Sequence, residues 1–440
     1  MTPLPHQVTG ADFLAARTTA LLADEPRVGK TGAAIMAADT IGARNILVIT
    51  TASGRPVWRR GFDDWSIYGR PVQVLAGRDK IRDGSAVVIA GWPQMANPAS
   101  VIGLWARHWD VLILDESHYA KSLDAKRTTA VFTSTGLSGK ASRVWCLSGT
   151  PMPNSPMDLF PMLASLAPDR LAANDNGPDV SEPGAFLRRY CKVKPKKIGY
   201  HRWIDVIIGG QNLEELADRL RGFYLRRTQQ DVGIREPIYE IMPLMASPAA
   251  LRAVQRDERS QVDAAVLAKI EAGDLDGLKE EQLGPVRRLW GEVKVGPLVE
   301  ALHEEFASGL DKVVIAAWHT DVIAALAEGL SKYGVAVVQG ATSARHREEA
   351  VRDFTDGSVR VFIGQIQAAG EAIDLSAAAE LIFAESSFVP KDMAQMAFRI
   401  TNHTQTRMPR VRVAALEGSI DDAIQTALMR KWATIRKVMQ

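Results

Sequence analysis

Short runs of consecutive apolar residues, rich in β-branched side chains, recur along this chain, each followed by a stretch with helical spacing. In the first half the runs read NILVIT, AVVIAG, DVLILDE and SRVWCLSG; in the second they read DKVVIAAWH, VAVVQG, VRVFIG and ELIFAES. Segments such as DVIAALAEGLSKYG and ARHREEAVRDFTDG carry the helical pattern between them. Unbroken apolar runs suit strands buried on both faces, whereas half-exposed strands alternate. Strands of this kind alternating with helices predict an α/β chain built on doubly wound parallel sheets.

A chain of 440 residues is long for a single core, so two domains are expected. Between the halves, ALRAVQRDERSQVDAAVLAKIEAGDLDGLKEEQ is highly charged and helix-prone and offers no strand candidate. The expectation is therefore a first domain over 1–235, a helical connector over 236–285 and a second domain over 286–440. Inside the first domain, about 172–212 reads as an insertion that opens with turn formers and becomes basic. There Lys192, Lys194, Lys196, Lys197 and Arg202 interleave with Tyr190, Tyr200, His201 and Trp203. Cations with stacking rings suit a nucleic-acid strand, and a solvated loop with anchoring aromatics suits the same residues; the sequence leaves both open.

Composition narrows the class. Hydrophobic residues make up 46% and charged residues 24%, as in globular chains, and the formal net charge is only +2, so a polyanion needs local basic patches. Cys146 and Cys191 are the two cysteines, which argues against a disulfide scaffold or a cysteine zinc site and fits a reducing compartment. The eight histidines show no metal-ligand spacing; His6, His319 and His403 read as loop or cap residues. The amino-terminal segment lacks signal organisation and no apolar run approaches a membrane span, so a cytoplasmic protein without membrane attachment is expected.

The chemistry concentrates in LLADEPRVGKTGAAI, residues 21 to 35. A phosphate loop presents backbone N–H groups and a helix amino terminus to the anion, while a lysine reaches the outer phosphates and the next hydroxyl ligates Mg²⁺. Gly29, Lys30 and Thr31 stand just before a helical pattern, but Asp24 occupies the place of the strict motif's first glycine and Arg27 stands where such loops often carry glycine. Such a stretch alone also suits a structural turn. The acidic pair Asp115-Glu116, ending the buried run DVLILDE, changes the balance. A carboxylate there can hold Mg²⁺ and its neighbour can activate water, the arrangement phosphoryl transfer needs. Trp58, Trp65, Trp92 and Trp105 read as core or helix-packing residues, while Arg226 and Arg227 suit either a salt-bridged helix end or an interdomain or phosphate role.

With LLADEPRVGKT, LILDESHYAKS and CLSGTPMPN in this order, the chain resembles superfamily-two helicase-type motors, and within them the Swi/Snf branch of DNA translocases. RRYC, GGQNLEEL and LRR resemble the HepA-related, annealing-helicase subgroup. The resemblance implies two RecA-like domains, with ATP and Mg²⁺ as cofactors. It puts Gln7 against the adenine, Asp24, Glu25, Arg27 and Gly29 around the nucleotide, Lys30 on the β/γ-phosphates and Thr31 on Mg²⁺. Asp115 would hold Mg²⁺ through water, and Glu116 would activate the attacking water. His118, Ser148, Gly149, Thr150 and Gln395 would couple nucleotide state to movement, with Gly370, Asp374 and Arg399 contributing to the nucleotide from the second domain. Thr51, Ser53, Gly340, Arg226, Arg227 and the basic insertion would meet the nucleic acid.

The departures bear on rate. Asn402 stands where the family's second motif arginine belongs, with Arg407 or Arg410 as substitutes; Ala372 replaces a glycine, and Asp374 an asparagine. The reading is an ATP-dependent translocase on double-stranded or forked DNA, remodelling or re-annealing it, expected as a monomer whose loading partner the sequence does not name. The alternatives are an RNA helicase of the same superfamily and a nucleotide-dependent nucleic-acid scaffold with little hydrolysis. A small-molecule kinase leaves the second α/β half and the LSGTP segment unexplained.

Overall fold

In the computed structural model the apolar runs become strands of two separate parallel sheets, all of them inner strands except VAVVQG, which forms an edge. The structure describes residues 2–77, 79–97, 101, 103–197, 203–271, 283–369, 373–387 and 390–439. The chain divides into two compact units, Met1–Thr228 and Gln229–Gln440.

The first unit contains β1 (Thr19–Leu22), β2 (Ile46–Thr50), β3 (Val72–Val74), β4 (Val87–Gly91), β5 (Val111–Asp115), β6 (Val144–Leu147), β7 (Cys191–Lys197), β8 (Trp203–Gly210) and β9 (Tyr224–Leu225). Seven of these form a sheet in the order β3-β4-β2-β5-β6-β1-β9, every pair parallel. Its core follows the strand period of two: Leu47, Ile49, Leu112 and Leu114 enter one cluster, and Ile46, Val48, Val111 and Ile113 the other. Burying each such side chain contributes roughly 1.5–3 kcal/mol. Helices α1 (Pro5–Ala15), α2 (Lys30–Thr40) and α3 (Gly54–Trp65) flank this sheet. α2 buries Ala33, Ala34, Ala37 and Ala38, small side chains that favour helix and permit close approach. A Cβ built on Gly32 would lie 2.9 Å from the Trp65 ring, so glycine lets α2 and α3 meet there.

The second unit contains β10 (Ile238–Leu244), β11 (Val313–Ala317), β12 (Val335–Val338), β13 (Val361–Gln365), β14 (Glu380–Phe383) and β15 (Arg410–Leu416), in the parallel order β10-β15-β14-β11-β13-β12. β10 corrects the expectation that residues 236–285 hold no strand. Its sequence IYEIMPL is interrupted by Glu240 and Pro243, which masks the apolar run. Pro243 is tolerated because β10 is an edge strand, where a missing N–H breaks no ladder on the open side. Helices Pro248–Gln261 and Ala264–Glu271 occupy much of the remaining stretch.

Candidate functional site

Because the strands of each sheet are parallel, their carboxyl ends share one edge, where open α/β sheets bind ligands. In the first unit the segments following β1, β2, β5, β6 and β9 all leave from that edge, and they carry the expected residues.

The loop between β1 and α2 is shaped by two left-handed residues, Arg27 at φ 72° and Gly29 at φ 100°. The glycine that such loops often carry at position 27 is thus explained by backbone, and arginine adopts the same conformation at a cost of about 1–2 kcal/mol. Gly29 also gives room to Gln7: an added Cβ would sit 2.2 Å from Gln7 Nε2. Buried Gln7 accepts a hydrogen bond from the Leu4 amide at 2.9 Å, which fixes its side chain beside the loop. Lys30 Nζ donates to the carbonyls of Asp24 (2.6 Å) and Glu25 (3.1 Å), curling the loop around its own ammonium. Burial pulls the Lys30 pKa down, opposed by the charges of Glu116, Asp24 and Asp115. Thr31 follows in the first turn of α2.

Arg226 and Arg227, assigned to the nucleic acid by the resemblance, hold this loop through ion pairs, as the salt-bridged alternative allows. Arg227 donates Nε to Asp24 Oδ1 at 3.0 Å and a terminal nitrogen to Oδ2, while Arg226 reaches Glu25 Oε1 at 3.3 Å. The Glu25 amide in turn donates to the Arg227 carbonyl at 2.9 Å. Two acids next to a lysine loop need counter-charges when half or fully buried, and the segment leaving β9, beside β1, supplies them. Asp24, expected at the nucleotide, is 1% exposed and meets Arg227 with its carboxylate.

Asp115 closes β5, and its Oδ2 accepts from Thr50 Oγ1 (2.7 Å) and Trp58 Nε1 (2.8 Å). Trp92 Nε1 donates to the Asp115 main-chain carbonyl at 2.8 Å. Burial raises the Asp115 pKa and the neighbouring Glu116 raises it further, while the bonds from Thr50 and Trp58 and the Lys30 charge oppose. Glu116 adopts φ 49° and ψ 49°, a left-handed turn that starts the short helix Ser117–Ala120. Its Oε2 lies 3.2 Å from His118 Nδ1, which also lies 2.9 Å from Ser148 Oγ. Ser148 Oγ accepts from the Thr150 amide at 3.2 Å, so the segments after β5 and β6 form one polar chain. A Cβ on Gly149 would come within 2.8 Å of Pro26 Cδ, bringing that chain against the loop. Lys30, Asp115, Glu116, His118 and Ser148 thus converge. Thr50, Trp58 and Trp92 were missed: their apolar surroundings mark them as core, which they are at 0%, 1% and 1% exposure, and only the tertiary structure reveals where their donors point.

Thr51 and Ser53 follow β2, with hydroxyls 3.2 Å apart, and Thr51 Oγ1 accepts from the Gly54 amide at 3.1 Å. In the basic insertion, helix Pro183–Tyr190 leads into an antiparallel hairpin of β7 and β8. Lys192 and Lys194 are exposed on β7, and Lys196, Lys197 and Trp203 belong to its backbone ladder. Tyr190 is core, fully buried, with its hydroxyl on Glu215 at 2.8 Å. Tyr200, His201 and Arg202 lie outside the described residues.

In the second unit, Gln395 lies in helix Pro390–Ala397 and Arg399 in the following turn, where the Arg399 carbonyl accepts from the Leu375 amide at 2.9 Å. Asp374 Oδ1 accepts from both the amide (3.0 Å) and the hydroxyl (2.6 Å) of Ser376. Asn402 ties this segment down: Nδ2 donates to Ser376 Oγ, and Oδ1 accepts from the Thr404 amide and hydroxyl, each at 2.8 Å. Arg410, proposed as a substitute arginine, sits at the start of β15 between Glu240 (2.8 Å) and Glu380 (3.4 Å), at the amino-terminal edge of the sheet. Arg407 meets Asp311 at 3.3 Å and the Ala377 carbonyl at 2.6 Å. Gly340, at the opposite edge, donates its amide to Gln365 Oε1 at 2.9 Å. Gly370 lies outside the described residues.

The site's donor set suits a phosphate with a hard cation. Both protein donors to Asp115 fall on Oδ2, so among the described residues Oδ1 is left as an acceptor of the oxygen type such a cation takes. No group of three or more histidine, cysteine, aspartate or glutamate residues able to hold a metal occurs among the described residues. Nor is any described helix long and apolar enough to cross a membrane.

The SNF2-related domain family matches residues 6–245, and the helicase conserved C-terminal domain matches residues 297–404. The chain is similar to the DNA annealing helicase and endonuclease ZRANB3 of Mus musculus, at 26% identity over 97% of this chain and 40% of that protein. It is also similar to the SWI/SNF-related matrix-associated actin-dependent regulator of chromatin subfamily A-like protein 1 of Drosophila melanogaster, at 28% identity over 99% of this chain and 56% of that one. It therefore spans about half the length of these relatives. Among solved structures, the Sulfolobus solfataricus SWI2/SNF2 ATPase core in complex with dsDNA aligns at 19% identity and a TM-score of 0.45, covering 100% of this chain and 93% of that one. With more than half its length matched by one family and a helicase C-terminal domain behind it, the chain belongs to the SNF2-related family.

Proposed function

We propose that this protein is an ATP-dependent DNA translocase of the Swi/Snf type, using ATP hydrolysis to move along double-stranded or forked DNA and to remodel or re-anneal it. The convergence of Lys30, Asp115 and Glu116 on one sheet edge supports this reading above all. Mg²⁺, when bound, neutralises phosphate charge and orients the reacting groups. Thr31 and Asp115 are the residues assigned to it.

Lys30 exchanges its carbonyl partners in the loop for the outer phosphates of ATP, an anion it binds as a point charge. Gln7, held beside Gly29, meets the adenine. Glu116 accepts the proton of the attacking water, and its contact with His118 passes the protonation state to Ser148 and the segment through Thr150. Gln395, Asp374 and Arg399 carry the second unit's part, with Arg399 the cation for the transition-state charge. Thr51, Ser53, Gly340 and the lysines of the β7–β8 hairpin contact the DNA backbone, where most protein–DNA bonds fall. Relatives named as DNA annealing helicases support DNA as the track.

Steady-state ATP hydrolysis with no nucleic acid, duplex DNA, forked DNA and RNA tests the proposal, with Lys30→Ala and Glu116→Gln as blanks. Stimulation by DNA, lost in both variants, is the expected result. Stimulation by RNA alone overturns the substrate. Binding of ATP and DNA with no turnover above the blanks overturns the motor, and makes the chain a scaffold.

A further inference from the structure

Every strand-edge carboxylate faces the same difficulty: a carboxylate free to rotate presents a smeared charge. Asp115 is not free to rotate. Thr50 Oγ1 and Trp58 Nε1 both donate to Oδ2, at 2.7 and 2.8 Å, and Trp92 Nε1 pins the main chain of the same residue at 2.8 Å. All three donors are essentially inaccessible to water. They come from different elements: Thr50 ends β2, the neighbour of β5; Trp58 lies on α3; Trp92 follows β4. Turning the carboxylate would break both bonds to Oδ2 and leave a buried indole N–H and a buried hydroxyl unpaired.

A second observation shows that the arrangement is given room. A Cβ built on Gly54 would lie 2.2 Å from Thr50 Oγ1, so the Thr50 hydroxyl occupies the space that any larger residue at 54 would take. Gly54 has no left-handed backbone that would otherwise require glycine. Trp92 is buttressed by Tyr119, whose ring stacks on it with centroids 6.1 Å apart and planes 12° apart.

We propose that Thr50 and Trp58, seated by Gly54, are positioning residues that lock Asp115 so that Oδ1 alone is presented to the Mg²⁺ hydration shell, and thereby set the Mg²⁺ requirement for nucleotide binding. The inference rests on the ATPase reading above. Neither residue touches substrate; each acts through Asp115. Outer partners of metal-bound groups commonly govern metal affinity by ten- to a hundredfold.

The test measures binding of a fluorescent ATP analogue as a function of Mg²⁺ for wild type, Thr50→Ser, Thr50→Val, Trp58→Phe, Gly54→Ala and Asp115→Asn, with thermal melts of each. Thr50→Val and Trp58→Phe should raise the half-saturating Mg²⁺ by about tenfold. Binding without Mg²⁺ should stay unchanged, and Thr50→Ser, which keeps the hydroxyl, should retain the wild-type requirement. Gly54→Ala should behave like Thr50→Val. In hydrolysis, KM for ATP should rise at fixed low Mg²⁺ and be restored by raising Mg²⁺. If Asp115→Asn shifts the Mg²⁺ requirement and folded Thr50→Val and Trp58→Phe do not, the positioning role is overturned while the ATPase reading stands. If Asp115→Asn itself leaves the requirement unchanged, the ATPase reading fails and this inference with it. Should Trp58→Phe not fold, the contrast between Thr50→Ser and Thr50→Val decides alone.

Discussion

Arg227 grips both carboxylate oxygens of Asp24, from the segment just after a strand more than two hundred residues away, and donates to the carbonyl of His6 as well. The loop between β1 and α2 is thereby fastened to the segment that leaves the edge strand β9, one residue before the first unit ends. Removing one partner of a buried ion pair leaves the other charge uncompensated. Arg227→Ala should destabilise the first unit by about 3–5 kcal/mol. Asp24→Ala combined with Arg227→Ala should cost clearly less than the sum of the two single changes, as a double-mutant cycle of urea melts would show. Additive losses would mean that the pair is not coupled.

Gly29 faces two constraints at once, a left-handed backbone and the side chain of Gln7. Gly29→Ala should cost about 1–2 kcal/mol of loop strain and weaken ATP binding by about tenfold or more, each tenfold being about 1.4 kcal/mol. Calorimetric titration reads the affinity directly. An unchanged affinity would show that the loop does not carry the phosphates.

Gly149 packs its Cα against Pro26, with no room for a methyl group. Gly149→Ala forces apart the segment after β6 and the nucleotide loop, an overpacking that costs about 1–3 kcal/mol. If that contact transmits the nucleotide state, DNA stimulation of hydrolysis should fall more than basal hydrolysis does. The ratio of the two rates is the readout, and equal losses in both would limit Gly149 to packing.

Lys294 and Asp421 form a buried pair in the second unit at 3.1 Å, 2% and 0% exposed. Asp421 also accepts from the Leu416 amide at 2.9 Å and from Gln425 at 2.8 Å, while Lys294 donates to the Ala414 carbonyl at 3.0 Å. Asp421→Ala therefore strands a cation and two further donors, and should lower stability by about 3–5 kcal/mol. Lys294→Met should cost less if Asp421 keeps its other two donors. Thermal melts of the two variants give the order, and the reverse order would sink the argument.

Glu215 has its carboxyl held below the usual carboxylate range, first by the hydrogen bond from Arg189, against a burial penalty, with Tyr190 and Arg219 adding to it. A depressed folded-state pKa contributes stability that is present above the unfolded value and is lost as pH falls through the folded one. Wild type should thus exceed Glu215→Gln in stability at neutral pH, and the gap should close as pH drops below about 4.3. Melts at stepped pH test this. A gap that persists at low pH would mean that the charge is not what holds the helix before the hairpin.

Much of this architecture was legible in the residues. Runs such as VLILD and VVIAA have no polar face, and only a sheet covered on both sides buries them. β10 and β15 were not legible, because IYEIMPL and RVRVAAL mix charge with apolar residues and their partners lie about 170 residues apart. The loop's position was legible from Gly29, Lys30 and Thr31, which stand just before a helical pattern and precede α2 in the fold.

What the sequence could determine was local: strand and helix periodicity, the parallel α/β class, the loop before α2 and the acidic pair, each set by neighbours within a few residues. What the tertiary structure decided was who serves whom across the chain. Arg226 and Arg227 turned out to hold the loop's acids, Asn402 to tie a turn to Ser376, and Thr50, Trp58 and Trp92 to aim at Asp115. A buried polar group must find a partner, but nothing in its own segment says which of many distant ones it will find. Sheet order and packing make that choice, by bringing strands far apart in the chain to one edge.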